Sequence, residues 1–431
     1  MVRFETTLVR KLTWRIVPLL MVCYFIAYLE RVNVGFAALT MNHALGFSAT
    51  TFGVGAGMFS VGYLLFEVPL SLLFNRYGAR VTFSRTMLVW GLIACCMAMI
   101  WNGTSYFVLR FLLGVAEAGF SPGVMIYLST WFPAKYRGRI LSYFFLSLPL
   151  SSFIGAPISG YLVALPGWHG LASWQIMFLA EGLPAIVMAI VVLLFMSERP
   201  ADAKWLNAEE RDWLCAQTQP DQTIHNTSAK SLWQTLFDRR VLLLSIVYLG
   251  ILLVHNSLSV WLPQMMKATG LTIRQTGLVI MLPYLAGIVG MLVWGWHSDK
   301  TQERKWHTAF AMMIAATGLV VAAFAADPVI KIGAVSMAMF GSFSALTVFW
   351  TLPTGFLAGP GAIGGVALIS SSGSLAGLIG PALIGIVKDW TDSYTLGLSV
   401  ISLMCLAATC LVMSSGIGAR PPIEASLEST V

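Results

Sequence analysis

Twelve predominantly apolar runs, each close to the length needed to cross a bilayer, follow one another along this chain. They occupy residues 16–39, 50–74, 83–101, 106–131, 139–165, 174–196, 241–265, 275–297, 306–326, 329–356, 362–388 and 394–416. A helix needs about 20 apolar residues to span the hydrocarbon core, and in lipid only helices and closed barrels satisfy their backbone polar groups. The fold to expect is therefore all-α, an integral membrane protein of twelve transmembrane helices. Charge content agrees: Asp, Glu, Lys and Arg supply 10% of the 431 residues, against about 25% in a soluble domain. So few charges cannot cover a soluble surface of this size, and the solvent for most of the chain is the lipid bilayer. The first run is too long for a signal-peptide core and lacks a clear small-residue cleavage site, so it reads as an uncleaved span.

Basic residues set the orientation. Arg3, Arg10, Lys11 and Arg15 precede the first span, Arg76, Arg80 and Arg85 lie between the second and third, and Lys135, Arg137 and Arg139 between the fourth and fifth; the alternate loops carry none. The positive-inside rule then puts both termini in the cytoplasm. It also accounts for the net charge of +7 without a nucleic-acid partner. One long polar segment, 197–240, contains the charged amphipathic stretch SERPADAKWLNAEERDWL and reads as a cytoplasmic linker with a surface helix. It separates a six-helix half, 1–196, from a second, 241–431. Tyr24 and Tyr248, Asn75 and Asp299, and Pro157 and Pro381 each lie 224 residues apart. Three matches at one offset support two pseudo-symmetric halves, a design of secondary transporters. No GxxxxGK[ST] loop occurs, so ATP is not the expected energy source. The six cysteines form no CxxC pair and the six histidines are scattered, so no metal or disulfide framework is expected. No nucleophile–base pair points to an enzyme.

Charges stand inside the spans. Glu30 and Arg31 are adjacent in IAYLERVNVGF of the first, Arg110 and Glu117 lie in RFLLGVAE of the fourth, Glu67 is in the second and Glu181 in the sixth. A charge at mid-bilayer costs about 2.5–3.5 kcal/mol on insertion scales, so the four in spans one and four would together cost on the order of 10–14 kcal/mol unpaired. That rivals the net stability of a whole protein. They must pair, face water, or both. On one continuous helix Arg110, Gly114, Glu117 and Ser121 share a face, with Arg110 and Glu117 about 10 Å apart along the axis. They are too distant to pair, but a group from the first span or a substrate can bridge them. Tyr24, Tyr28, Arg31 and Gly35 form one stripe of the first span; Glu30 points about 100° away, beside Asn33 and Ala37. One of the two charges can thus face a central cavity and the other a neighbouring helix.

A buried structural network would satisfy the same charges, but intramembrane ionisable residues are by default functional. Arg31 offers a planar fork for a carboxylate. Glu30 and Glu117 are the candidate proton carriers. An anion that captures the guanidinium removes a counter-charge from the carboxyl, so anion and proton binding favour each other. At the 224-residue offset, Glu30 and Arg31 land on Val254 and His255, and Arg110 and Glu117 on Ala334 and Gly341. The second half offers uncharged polar groups instead, among them His255, Asn256, Trp350, Thr351 and Ser370 to Ser372. His255 reads either as a proton carrier or as a hydrogen-bonded cavity or packing residue, and Tyr63 as packing or path-lining. Glu67 is expected to brace the second span, and Glu181 to cap or brace the sixth. Arg76, Arg80, Asp299 and Arg304 are expected to form gating salt bridges at the cytoplasmic side. The small-residue run 361–377 lets its helix approach neighbours closely.

The stretches YLERVN, GYLLFEVP, FLLGVAEAGFSPGVMIYLSTWFP, AEGLPA, PADAKWLNAEERDWL and FWTLPTGFLAGPGAIG together resemble the anion:cation symporter family of the major facilitator superfamily. Within that family the chain looks like the bacterial permeases for sugar acids, tartrate, phthalate and other aromatic acids. The resemblance covers nearly the whole chain. It implies the twelve-helix facilitator fold, import across the bacterial inner membrane, a proton as coupling ion without further cofactor, and a small organic acid as substrate; the chain is expected to act as a monomer. It assigns coupling and anion binding to Glu30, Arg31 and Glu117, with Arg110 at the matching basic position and Tyr63 on the substrate side. Two departures matter. Glu30 stands where the family usually has Asp, which moves the carboxyl by one methylene. Ser370 and Ser374 stand where many relatives carry Asn, which removes an amide for substrate hydroxyls and leaves aromatic or simpler carboxylates more open than polyhydroxy acids. A sodium-coupled or facilitative carrier, or an exporter, is the alternative reading; the pH dependence of uptake separates the coupled forms.

Overall fold

A computed structural model describes residues 2–71, 76–218, 237–353 and 362–415. Twelve helical spans long and apolar enough to cross a membrane lie among them. The first half contains α1 (Val2–Leu45), α2 (Ala49–Ser71), α3 (Ala79–Cys96), α4 (Gly103–Glu117), α5 (Phe120–Trp131), α6 (Ala134–Phe145), α7 (Ser147–Val163) and α8 (Ser173–Phe195). The linker carries α9 (Ala208–Gln217). The second half contains α10 (Arg239–Lys267), α11 (Ile273–Thr301), α12 (Lys305–Phe324), α13 (Pro328–Phe349), α14 (Ala362–Thr391) and α15 (Thr395–Ser414). The fourth span is the pair α4 and α5, and the fifth is α6 and α7.

Local sequence explains several boundaries. Asn102 Oδ1 accepts from Ser105 N at the start of α4, Asn207 Oδ1 from Glu210 N at the start of α9, and Asp327 Oδ1 from Val329 N at the start of α13, where Pro328 needs no N–H partner. Hydropathy places the first span at 16–39, yet α1 begins at Val2. Packing accounts for the difference. Leu8, Leu12 and Ile16 are buried, Phe4 meets Trp213 edge to face, and Lys11 Nζ pairs with Glu210 of α9 at 2.7 Å. The linker helix thus holds the polar first turns of α1 in register. Of the expected linker, 219–236 lies outside the described residues, as do Asn75, residues 354–361 of the FWTLPTGFLAGPGAIG stretch and the chain after Ser415.

The fourth span is not the continuous helix its apolar pattern suggests. α4 stops at Glu117, Gly119 takes φ 85°, and α5 resumes at Phe120. Pro122 is the cause: in an unbroken helix its ring would collide with the Ala118 carbonyl, and it has no N–H to give. Gly119 supplies the left-handed turn that a side chain would resist. Ser121 therefore does not continue the face that carries Arg110, Gly114 and Glu117.

The halves meet through α2 against α14, α7 against α11, and α1 against α10. Pro157 lies inside α7 and Pro381 inside α14, so the repeated prolines sit on helices that pack across the molecule. These contacts lie toward the end where α1 turns into α2. There Asp389 of α14 accepts from Ala49 N at 2.9 Å and Thr50 N at 2.8 Å, and Phe52 meets Trp261 edge to face with centroids 5.1 Å apart. A Cβ on Gly160 would stand 2.9 Å from the Gly277 Cα, so only glycine permits that approach. This end is closed. The contacts between the halves just described lie at one end, away from the basic loops.

Candidate functional site

Half-buried residues of both halves mark a cavity between them. Arg31, Tyr63 and Glu67 are half-buried on the first half; Tyr248, Asn256, Trp350 and Ser370 are half-buried on the second. At its floor the Tyr28 hydroxyl hydrogen-bonds His255 Nε2, joining α1 to α10. His255 also packs edge to face on Phe343 and is buried, so in this conformation it ties the halves together beneath the cavity rather than lining it.

The centre of the site is one ion pair. Arg31 Nε donates to Glu117 Oε2 at 2.7 Å. Glu117 is wholly buried, while the Arg31 side chain keeps 24% of its surface exposed, so part of its guanidinium remains open to the cavity. The break after α4 puts Glu117 at a helix end beside α1. Three rings surround the guanidinium carbon: Phe59 and Tyr63 at 5.0 Å and Tyr28 at 6.0 Å. Such faces favour a planar cation and hold it in orientation. Sequence spacing allows a group from the first span to bridge Arg110 and Glu117. Arg31 reaches only Glu117. Arg110 is buried, with Nη2 donating to Ala56 O at 3.3 Å and its guanidinium 5.1 Å from the centroid of the same Phe59 ring. Its positive charge still acts on Glu117.

Glu30 turns away from the cavity. It is 1% exposed and faces the interior of the first half, where Glu117, Glu181 and the Trp90 indole are the groups that act on it. Adjacent charges on one helix have thus gone to different faces, as their 100° separation dictates. Glu181 caps nothing: it stands mid-way along α8 and accepts from Ser159 of α7 at 2.7 Å, a brace between helices. Glu67 is nearer the site than a simple brace, half-buried and within the field of Arg31. Of the second-half candidates, Trp350 packs edge to face on Tyr248 at 5.1 Å, whereas Ser372 is turned out of the cavity, donating to Ser245 O.

Among the described residues no ion pair joins Arg76 or Arg80 to Asp299 or Arg304. Arg304 Nη1 pairs with Asp299 Oδ1 at 2.7 Å inside the second half. Arg76 lies over Tyr77 at 5.3 Å, and Arg80 offers its backbone N–H to Glu198. Asp389 enters the picture only with the structure, which also supplies the surroundings of Tyr28, Glu67 and Glu181. Tyr28 shares the stripe of Arg31, a signal present in the sequence; the partners of Glu181 and Asp389 lie on other helices and leave no local mark.

The Major Facilitator Superfamily pattern matches residues 20–381. The chain belongs to the major facilitator superfamily. This facilitator is 45% identical over 409 residues to a proposed tartrate transporter of Agrobacterium vitis, covering 95% of this chain and 91% of the relative. It is 38% identical over 405 residues to the quinolone resistance transporter of Acinetobacter baumannii, covering 94% and 93%. Its fold is similar to that of a bacterial homologue of the human lysosomal transporter Spinster, solved inward-facing and unoccupied, with a TM-score of 0.72 over 93% of this chain and 95% of that one at 14% identity. The likeness to anion:cation symporters within the superfamily accords with these relatives. The facilitator is a multi-pass membrane transporter, not an enzyme.

Proposed function

We propose that this facilitator imports a small organic carboxylate across the bacterial inner membrane by proton symport, as a monomer with both termini cytoplasmic. The observation that carries the reading is the Arg31–Glu117 pair, a buried carboxylate holding a guanidinium whose remaining surface faces the cavity. A substrate carboxylate engages the open fork of Arg31. Glu117 then loses its counter-charge in a site without bulk water and takes a proton. Glu30 is the second proton-carrying carboxyl. Tyr63, Asn256, Trp350 and Ser370 contact the body of the substrate, Arg110 adds positive field from below, and His255 couples binding to the contact between halves. The halves, 1–196 and 241–431, rock about this centre, tethered by 197–240. Closure of the cytoplasmic end brings the loops of Arg76, Arg80, Asp299 and Arg304 together as a gate. No cofactor other than the proton is required.

The test is uptake into proteoliposomes of labelled tartrate, sugar acids, phthalate, hydroxyphenylacetate and nicotinate, each with and without an inward proton gradient. Accumulation of an acid only with the gradient is expected. Equal uptake with and without it refutes proton coupling, and accumulation driven by sodium instead assigns the other ion. The quinolone resistance relative supports a second reading, outward transport, which inverted vesicles loaded through the same gradient distinguish by direction.

A further inference from the structure

Behind the Arg31–Glu117 pair lies a second polar pocket, walled off from the cavity by α1. Glu30 of α1 and Glu181 of α8 face each other there, 1% and 2% exposed. Both Glu30 carboxyl oxygens and Glu181 Oε2 lack a hydrogen-bond partner among the described residues. Two further side chains are aimed at these carboxyls without closing a hydrogen bond of ordinary length. Trp90 Nε1 of α3 faces Glu30, and Asn33 Oδ1 of α1 belongs to an amide lying against Glu181; both are at least nine-tenths buried. The ionisable groups that act on Glu30 are Glu117 and Glu181, and it in turn acts on Cys95 of α3. No cation among the described residues acts on Glu30 or Glu181. Two bare carboxylates cannot share such a space, because burial of uncompensated charge is prohibitive.

The charge count of the half points the same way. Its buried ionisable groups are one guanidinium, Arg110, and three carboxyls, Glu30, Glu117 and Glu181, and the half-buried Arg31 and Glu67 add one charge of each sign. The set is short of positive charge. Arg31 is committed to Glu117, and Arg110 acts on Glu117 rather than on Glu30. The missing charge therefore belongs between Glu30 and Glu181.

We propose that Glu30 and Glu181, with Asn33 and Ser159, form a second cation site distinct from the Arg31–Glu117 pair, and that the cation it holds is a proton shared by the two carboxyls. The chemistry fits this small ligand. Ser159 donates to the ionised partner, and Asn33 Oδ1 is the vacant acceptor that a protonated carboxyl needs. Glu181 thereby becomes a proton-carrying residue of the transporter. Because Glu30 also acts on Glu117, a substrate that frees Glu117 from Arg31 alters how this proton is held.

The proposal rests on proton symport, so the wild type is measured first. Reconstituted with whichever labelled acid of the panel it accumulates, it should concentrate that acid about a hundredfold for a one-unit pH gradient, the equivalent of two coupled protons, one on Glu117 and one at the Glu30–Glu181 site. Glu181→Gln keeps the size and the Ser159 contact. It should accumulate the acid no more than about tenfold, driven by the Glu117 proton alone, while gradient-free counterflow stays within about twofold of wild type. Accumulation equal to wild type in Glu181→Gln overturns the proposal, and so does parallel loss of accumulation and counterflow in a monodisperse protein, which marks a structural role. A wild type driven by a sodium gradient, with that drive lost in Glu181→Gln, overturns the proton as the ligand. If Glu181→Gln elutes as aggregate, Ser159→Ala decides: accumulation should fall about threefold with counterflow intact, and unchanged accumulation overturns the proposal. A wild type that accumulates no acid under any gradient instead refutes the function proposed above.

Discussion

The two halves of the molecule share a fold and a repeat but not a chemistry. In the first, buried carboxyls and guanidiniums interrupt the packing, and the helix that bears Glu117 breaks at Gly119 to place it. At the equivalent positions of the second stand Ala334 and Gly341, on an unbroken α13 whose small residues lie against α12. There the same helix surface is given to close packing. The difference teaches that the chemical part of a two-part machine need not be symmetric. One half can hold the charges while the other supplies a neutral wall and a rigid lever, provided some contact reports the state of one to the other. The Tyr28–His255 bond and the Asp389 contact with the start of α2 are two such contacts.

If the asymmetry is functional, the largest effect of any single cavity substitution should come from Arg31. Arg31→Lys retains the charge, but an ammonium cannot keep Glu117, a substrate carboxylate and the three aromatic faces at once. Substrate affinity, measured by equilibrium binding to the purified protein, should fall about a hundredfold, equivalent to about 2.7 kcal/mol. A fall of less than about threefold would mean that the second half does most of the holding, and the comparison would break.

How much of this was legible in the sequence follows from which forces are local. Span number was, because hydropathy over twenty residues is a property of each segment by itself. The opposed directions of Glu30 and Arg31 were too, because helical geometry fixes them. The start of α1 was not: Leu8 and Leu12 look like part of a polar leader until α9, two hundred residues on, covers them. The break after Glu117 carried its signal in Gly119 and Pro122, which the apolar pattern overrode. Arg110 was placed by spacing on the face of Glu117, yet its partner proved to be the Ala56 carbonyl of α2. Which end of the bundle is closed has no trace in the sequence at all, since one chain must visit both states.

The closed end gives the next sharpening of the comparison. Asp389 is a charge of the second half that acts on the first, set at the N-terminus of α2 where a carboxylate meets the unpaired N–H groups and the positive end of the helix dipole. Asp389→Asn removes the charge and keeps the shape. The effect is worth about 0.5–1 kcal/mol at an exposed helix end, so the ratio of molecules closed at this end should drop by about two- to fivefold. Distances between spin labels at the exposed positions Ala44 and Thr391 would read it: a longer-distance population should grow in the variant. An unchanged distribution would leave α2 and α14 held by their apolar contacts alone, and the second half would then be neutral in effect as well as in composition.

The smallest effect should come from the neutral wall itself. Ser370 is half-buried on α14, and any bond its hydroxyl gives a substrate is between neutral partners or to one edge of a carboxylate that Arg31 already holds. Such a bond contributes about 1 kcal/mol net. Ser370→Ala should therefore raise KM by no more than about fivefold and leave the dependence on the proton gradient untouched, because the proposed proton-carrying carboxyls all lie in the first half. Uptake kinetics at two external pH values test both parts. A loss of gradient dependence in Ser370→Ala would place coupling chemistry in the second half after all. An affinity loss comparable to that of Arg31→Lys would show that the neutral wall, not the guanidinium, selects the acid.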